Sequence, residues 1–327
     1  MSTLRLSQNY LQWALILVAL MVALILPNFL PDYWLHVTII AYFYALLASS
    51  WSLLAGYAGL FSLAHVAFMA LGAYTSGLLD YYLGTPPALG IVAGTIASGL
   101  FGLLIGYLCL RLRSTYLALF TIAFSEIARI IINSEHQFTR GPRGLYVTPI
   151  FGETVSRVPY YYLMFAILVG CMLFMYWIVR SRVGLFLRAI REDEVAAAAR
   201  GVDVVRYKIL AFVITSLIAG LAGGFFAHYI TIITPNIMVQ SQMGLVLAMA
   251  IIGGQESLMA SAIGAVFIEY ALELLREFEY WRLVLFGVLL VLTLRFARNG
   301  LLAPLLSRLS GAQPRAELRR KEEEVSA

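Results

Sequence analysis

The chain has 327 residues, of which 61% are apolar and 13% are charged, and its mean hydropathy is +0.85. A soluble core could not bury this much apolar surface, so the composition excludes a soluble globular protein and indicates a polytopic membrane protein. The net charge of +5 comes from basic residues at the ends of apolar segments and in two polar segments, which is typical of membrane topology signals and not of nucleic-acid binding.

Apolar runs of about 20 residues predict membrane-spanning helices, because a helix of that length crosses the hydrocarbon core. The sequence predicts ten spans, of which the eighth is short. They cover residues 11–30, 34–55, 62–80, 88–110, 115–133, 159–179, 208–230, 241–255, 257–275 and 281–297. We therefore expect an all-α polytopic membrane bundle with some short or broken helices. Residues 1–300 are predicted to form one transmembrane domain, and residues 301–327 a polar cytoplasmic tail.

The segment at 56–79 places glycines, serines, a histidine and a threonine inside a run long enough to span. Its first two glycines disfavour helix, which predicts a non-helical opening at membrane depth beside protein or a water-filled path. In transporters, broken helices offer helix ends and free backbone groups to zwitterionic substrates. Ser62, His65 and Thr75 are the predicted pathway side chains. The alternative is a packing motif in which His65 bonds to a neighbouring carbonyl group.

Small residues recur every four positions in the fourth and seventh predicted spans. They are Gly90, Gly94, Ser98, Gly102 and Gly106 in the fourth span, and Ser216, Gly220 and Gly224 in the seventh. Such faces let another helix approach closely, so they predict a compact bundle without indicating what it transports.

Two charges, Glu126 and Arg129, stand one turn apart in the fifth predicted span. Each costs about 2.5–3.5 kcal/mol at a helix centre on insertion scales, so both are expected to face protein or water and to pair. The pair is either structural or part of the translocation pathway.

Arginine and lysine in the connections set the predicted orientation. With ten spans, the basic residues at 111–113, in the loop 180–208 and in the tail fall on one side, which is assigned to the cytoplasm with both termini. The loop at 134–158 then lies outside, although it carries three arginines, and is either a landing place for a soluble partner or a connector.

The loop at 180–208, RSRVGLFLRAIREDEVAAAARGVDVVRYK, has seven basic and four acidic side chains and cannot lie in lipid. Helix formers run through residues 185–200, Gly201 stands where a left-handed stop is expected, and Asp203 can cap a new helix. The pattern predicts a helix, an elbow and a second helix rising into the membrane. It favours a docking surface, or else an ordinary loop made basic for topology.

The sequence contains no recognisable catalytic or metal-binding motif. Neither of its two lysines, Lys208 and Lys321, follows a phosphate-binding glycine loop. It has no Ser-His-Asp grouping with a nucleophile elbow, no HExxH, and no histidines or cysteines at metal-ligand spacing. We expect neither an enzyme nor a metal site, so any ATP that drives the protein would be hydrolysed by another chain.

Three segments together resemble the permease subunit of branched-chain amino acid ABC importers, the hydrophobic amino acid uptake family. They are residues 56–79, close to the family pattern G-Q-x-S-L-G-H-x-x-F-x-x-x-G-A-Y; TIAFSEIAR at 121–129 with 139–145; and 180–201 running on through 208–212 and 219–224. The resemblance extends over residues 34–302 and favours the larger of the family's two permease types.

The resemblance implies that residues 192–201 form the coupling loop, seated in a groove of the ATPase. The coupling residues it implies are Arg188, Arg191, Glu192, Glu194, Ala197 and Gly201. It also implies a bacterial-type cytoplasmic (inner) membrane location and, as partners, a homologous second permease, two ATPase subunits that bind ATP and Mg, an extracytoplasmic solute-binding protein, an amino acid substrate and the lipid bilayer. No cofactor is expected in this chain and no nucleic acid among its partners.

The chain departs from the family pattern at several positions, which leaves the substrate open. Leu60 stands where glutamine is usual, Ala64 and Glu256 where glycine is usual, and Arg143 interrupts a small or polar turn. Urea or a short amide is therefore an alternative substrate. Two other classes stay open: an ion-coupled transporter or channel that uses Glu126 as carrier, and a scaffold subunit without a pathway.

Overall fold

The computed structural model describes residues 21–109, 114–152, 155–278, 280–296 and 300. The α-helices in these ranges are α1 (Asp32–Ser52), α2 (His65–Leu83), α3 (Pro87–Leu108), α4 (Ser114–Ser134), α5 (Val158–Arg180), α6 (Arg182–Glu192), α7 (Glu194–Ala199), α8 (Val204–Ile230), α9 (Gln240–Gly253), α10 (Leu258–Leu274) and α11 (Tyr280–Phe296). Strands β1 (Leu145–Tyr146) and β2 (Ile232–Ile233) pair antiparallel. The predicted helical membrane bundle is confirmed.

The count of ten spans is not confirmed. Within the described residues five helices are long and apolar enough to cross a membrane, or six if the bent pair α9–α10 is one span. Helix α9 has 14 residues and is therefore about 21 Å long, too short for a 30 Å hydrocarbon core. Helix α10 leaves it at an angle of 119°, so the eighth and ninth predicted spans form one bent unit. Most of the first predicted span and the tail at 301–327 lie outside the described residues.

The helices begin and end at two opposite sides of the molecule, which we call the loop end and the sheet end. At the loop end, Arg191 of α6 contacts Gly56, just after α1, and Glu256, in the break between α9 and α10. At the opposite, sheet end, the Arg157 guanidinium donates to the Asp32 carbonyl oxygen at 3.0 Å, which joins the starts of α5 and α1 near the β1–β2 pair. The helices that connect these two ends alternate in direction along the chain.

Small residues bring α2, α3 and α8 into close contact, as their spacing predicts. The Ser98 hydroxyl of α3 donates to the Ser216 carbonyl oxygen of α8 at 2.7 Å and to the Phe68 carbonyl oxygen of α2 at 2.9 Å. A Cβ atom added to Gly94 would overlap the carbonyl oxygen of Gly72. The backbones approach so closely that no larger residue fits at these positions.

Candidate functional site

Side-chain caps divide the loop at 180–208 into short helices. Ser181 accepts a hydrogen bond from an N–H group in the first turn of α6 at 3.2 Å, and Asp203 accepts one from α8 at 3.0 Å. Asp193 has an extended backbone and accepts two N–H groups of α7, at 2.9 and 3.0 Å. Gly201 has a φ of +85°, the left-handed stop expected from the sequence. The predicted helix over 185–200 is therefore interrupted at Asp193, whose carboxylate competes with the helix for backbone donors.

The hairpin formed by α6, α7 and the start of α8 has its own small core. Ile190, Ala197 and Val204 are buried against one another. The Lys208 ammonium lies 2.6 Å from a carboxylate oxygen of Glu194, which ties α7 to α8. On the outer face, the Val195 side chain is 79% exposed. The hairpin therefore has a fixed shape and presents an apolar and charged surface away from the bundle.

The predicted coupling residues divide into three groups. Glu192, Glu194 and Gly201 lie on exposed positions of the hairpin, while Ala197 is in its core. The arginines turn towards the bundle instead, and the Arg188 guanidinium lies 5.2 Å from the centre of the Tyr57 ring. The arginines are therefore contacts between the hairpin and the spanning helices.

Arg191 joins the hairpin to two interrupted helices. Its guanidinium donates to the carbonyl oxygen of Gly56 and pairs with the carboxylate of Glu256. Gly59 has a φ of +71°, and a Cβ atom there would lie 3.0 Å from Cγ of Arg191. Gly56 packs against the carbonyl group of Gln255, so a side chain at position 56 would collide with it. We call these five residues (Gly56, Gly59, Arg191, Gln255 and Glu256) the Arg191 cluster.

The segment after α1 is irregular, as the glycines of 56–79 predict. Residues Leu53–Tyr57 form a π-helix, and α-helix resumes only at His65. Interruptions of this type are frequent at functional sites. The second interruption is the break between α9 and α10, and its signal in the sequence is Gly253-Gly254 followed by Glu256. Because polar residues are common at the ends of spans, this signal alone did not predict an interruption.

A fully buried polar layer lies next to the Arg191 cluster, towards the sheet end. The His65 ring nitrogen Nε2 lies 2.9 Å from the Ser50 hydroxyl, and the Trp51 indole donates to the Ser62 carbonyl oxygen at 2.8 Å. His65 therefore pairs with a hydroxyl group and not with a carbonyl group. We call Ser50, Trp51, Ser62 and His65 the His65 layer. Thr75 lies ten residues further along α2, about 15 Å away, and does not join it.

Glu126 and Arg129 pair as predicted, on the edge helix α4. The Arg129 Nε atom lies 3.0 and 3.1 Å from the two carboxylate oxygens of Glu126. Their side chains are 43% and 27% exposed, respectively. The pair therefore points away from the bundle core, and the structure does not bring it together with the His65 layer.

A cavity of about 230 Å³ lies between α1, α2, α8, α9 and the turn at residues 234–237. Its polar lining consists of Tyr44, Thr234, Asn236 and Gln242, and the remaining lining is apolar. The Tyr44 hydroxyl donates to the Gln242 side-chain oxygen at 3.0 Å. Sequence reasoning missed this site because its polar residues stand far apart in the chain and form no motif.

The comparisons with known proteins identify a family of membrane transport components. Residues 33–294 match the family described as branched-chain amino acid transport system / permease component. The chain is 32% identical over 286 residues to the high-affinity branched-chain amino acid transport system permease protein LivM of Salmonella typhimurium, with 79% of this chain and 67% of the relative covered. It is also 32% identical over 321 residues to LivM of Escherichia coli, with 88% and 74% covered.

A more distant relative transports a different kind of substrate. The fructose import permease protein FrcC of Rhizobium meliloti is 24% identical over 241 residues, with 69% of this chain and 67% of the relative covered. No solved structure matches the chain at a comparable level of significance.

Proposed function

This chain belongs to the permease components of branched-chain amino acid transport systems, and from that premise we propose that it is the membrane subunit of an ABC importer that carries branched-chain amino acids into the cytoplasm. The resemblance read from three sequence segments is thereby confirmed at the level of the family. Members of this family are transport components and not enzymes. ATP and Mg would be bound by two ATPase subunits, each separate from this chain.

The observation that carries the proposed coupling is the contact of Arg191 with two interrupted helices. The hairpin has an exposed outer face with Val195 at its surface, and an inner face fixed to Gly56 and Glu256. A displacement of the hairpin by an ATPase would therefore move the end of α1 and the α9–α10 break together. The His65 layer lies on the end of α1 and on the irregular segment that follows it, so the movement would reach the interior of the bundle.

The orientation follows from the same arrangement. The loop end faces the cytoplasm, because the motor subunits of ABC importers act there and because the positive-inside rule favours it. With the first predicted span added, and with the bent pair α9–α10 entering from the sheet end and returning to it, both termini are cytoplasmic. The sheet end then faces the solute-binding protein, and a homologous permease completes the membrane unit in the inner membrane of a bacterial-type cell.

Substitution of Val195 by arginine tests the coupling role. The Val195 side chain is 79% exposed, so Val195→Arg should insert normally but fail to co-purify with the ATPase subunits and fail to support leucine uptake. Glu194→Arg should act in the same way, although it also breaks the ion pair with Lys208.

The control for Val195→Arg is Tyr146→Arg, at a 63% exposed position of the sheet end. This variant should retain the ATPase subunits on purification. Normal uptake and ATPase retention by Val195→Arg would refute the docking role of the hairpin.

A further inference from the structure

The cavity has an apolar floor, and nearer the sheet end its polar groups lie among the apolar side chains of Phe43, Met69, Phe226 and Ile237. Along α1 Tyr44 lies nearer the sheet end and Leu47 one turn nearer the loop end, and along α9 Gln242 and Val246 follow the same order. The polar groups therefore gather towards the outward side. Leu47 and Val246 are at most 1% exposed and, with Val66 of α2, form an apolar floor.

The cavity floor lies directly above the His65 layer. Ser50 and Trp51 follow Leu47 on α1, and His65 precedes Val66 on α2. All of these residues are buried, so the cavity is closed towards the loop end. A solute in the cavity would have to cross the His65 layer to reach the cytoplasm, and that layer lies on either side of Gly56, which Arg191 contacts.

The residues that line the cavity favour a ligand with no net charge and a compact apolar group. The lining includes a phenol, an aliphatic hydroxyl and two amides, but no ionised side chain, so it suits a ligand whose own charges sum to zero. The apolar floor suits a compact hydrocarbon group. At about 230 Å³ the cavity is below the range of about 300–1,000 Å³ typical of drug-sized sites, which favours a solute of a few heavy atoms.

We infer that this cavity is a substrate site for a zwitterionic amino acid with a branched apolar side chain. The α-ammonium and α-carboxylate groups face Tyr44, Asn236 and Gln242, and the side chain packs on Leu47 and Val246. The inference rests on the proposed function and adds the position and orientation of the substrate. Urea and short amides lack a group for the apolar floor, and a sugar would place hydroxyl groups against hydrocarbon.

Substitution at the cavity floor tests the side-chain end of the site. In the importer assembled with its partner subunits, Val246→Phe should lower uptake of radiolabelled L-leucine by about 10- to 200-fold while L-alanine uptake falls less, because filling space penalises the larger side chain. Ser241→Phe, at an exposed position of the same helix outside the cavity lining, should transport like the unsubstituted chain. Val246→Ala, which removes volume, should shift preference towards L-phenylalanine and keeps the test informative if Val246→Phe folds poorly.

Substitution at the polar side tests the zwitterion end. Gln242→Leu should raise the KM for L-leucine about tenfold at unchanged protein level, since one hydrogen-bonding group is lost from the bound state. Gln240→Leu, at an exposed position in the same turn, is the control. Unchanged KM and unchanged selectivity in the Gln242 and Val246 variants would overturn the inference. Failure of the proposed function would differ, because the unsubstituted chain would then take up no leucine.

Discussion

At the scale of single residues, the proposed coupling depends on Arg191. Its guanidinium contacts a carbonyl oxygen at one helix interruption and a carboxylate at another. The family resemblance implied that this arginine belongs to the residues that couple to the ATPase, and the structure places it against the spanning helices instead. Its inward direction depends on the space above Gly59, which no local pattern reveals. Glu256 stands where the family usually has glycine, and it is the ion-pair partner of this arginine. This pairing explains the departure from the family pattern.

Removal of this contact should separate ATP hydrolysis from transport. Arg191→Ala leaves the outer face of the hairpin intact, so the ATPase subunits should still bind, while leucine uptake should fall by about 5- to 150-fold, the range of a typical coupling free energy of 1–3 kcal/mol. Uptake and ATPase activity measured on the same proteoliposomes check this.

The matched control for Arg191→Ala is Arg206→Ala, which removes an exposed arginine of the same loop and should leave uptake unchanged. Partial recovery of uptake in the exchange variant Arg191→Glu with Glu256→Arg would support the pair directly. Full uptake by Arg191→Ala would contradict its role in transmission.

At the scale of helices, periodicity and composition were sufficient for most of the bundle. The predicted spans at 88–110 and 159–179 correspond to α3 and α5, and the four-residue spacing of small residues correctly predicted close packing between α3 and α8. The 119° bend between α9 and α10 was not predicted, because two adjacent apolar runs look alike whether they form two spans or one bent unit. The cavity was missed because it exists only where five segments meet.

The packing of α2, α3 and α8 predicts a local loss of stability on substitution. Gly94→Ala places a Cβ atom on the carbonyl oxygen of Gly72, so the helices must separate, at a cost of about 1–3 kcal/mol. Gly170→Ala is the matched control, since nothing lies within 4 Å of the added atom. This control should be neutral or slightly stabilising, because alanine favours helix by up to about 1 kcal/mol.

Thermal unfolding in detergent, followed by size-exclusion chromatography, would compare the two glycine variants. Gly94→Ala should lower the apparent Tm by several degrees relative to Gly170→Ala. Equal Tm values would mean that the close approach of α2 and α3 is not required for stability.

At the scale of the whole molecule, the proposal requires the hairpin and the strand pair to lie on opposite sides of the membrane. Both are readily probed, because Val195 and Tyr146 are 79% and 63% exposed. The native thiols, Cys109 and Cys171, would first be replaced by serine. Tyr146→Cys should then react with a membrane-impermeant maleimide added to cells with a permeabilised outer membrane, and Val195→Cys only after the inner membrane is opened.

The same pair of variants separates orientation from assembly. When the ATPase subunits are present, labelling of Val195→Cys in opened membranes should slow severalfold, because the docked motor covers it, while labelling of Tyr146→Cys stays unchanged. Labelling of Val195→Cys from outside would reverse the topology, and the motor could then not reach the hairpin. Because α6, α7 and the interrupted ends of α1 and α9 all lie at the loop end, that one result would remove the physical basis of the proposed energy transfer.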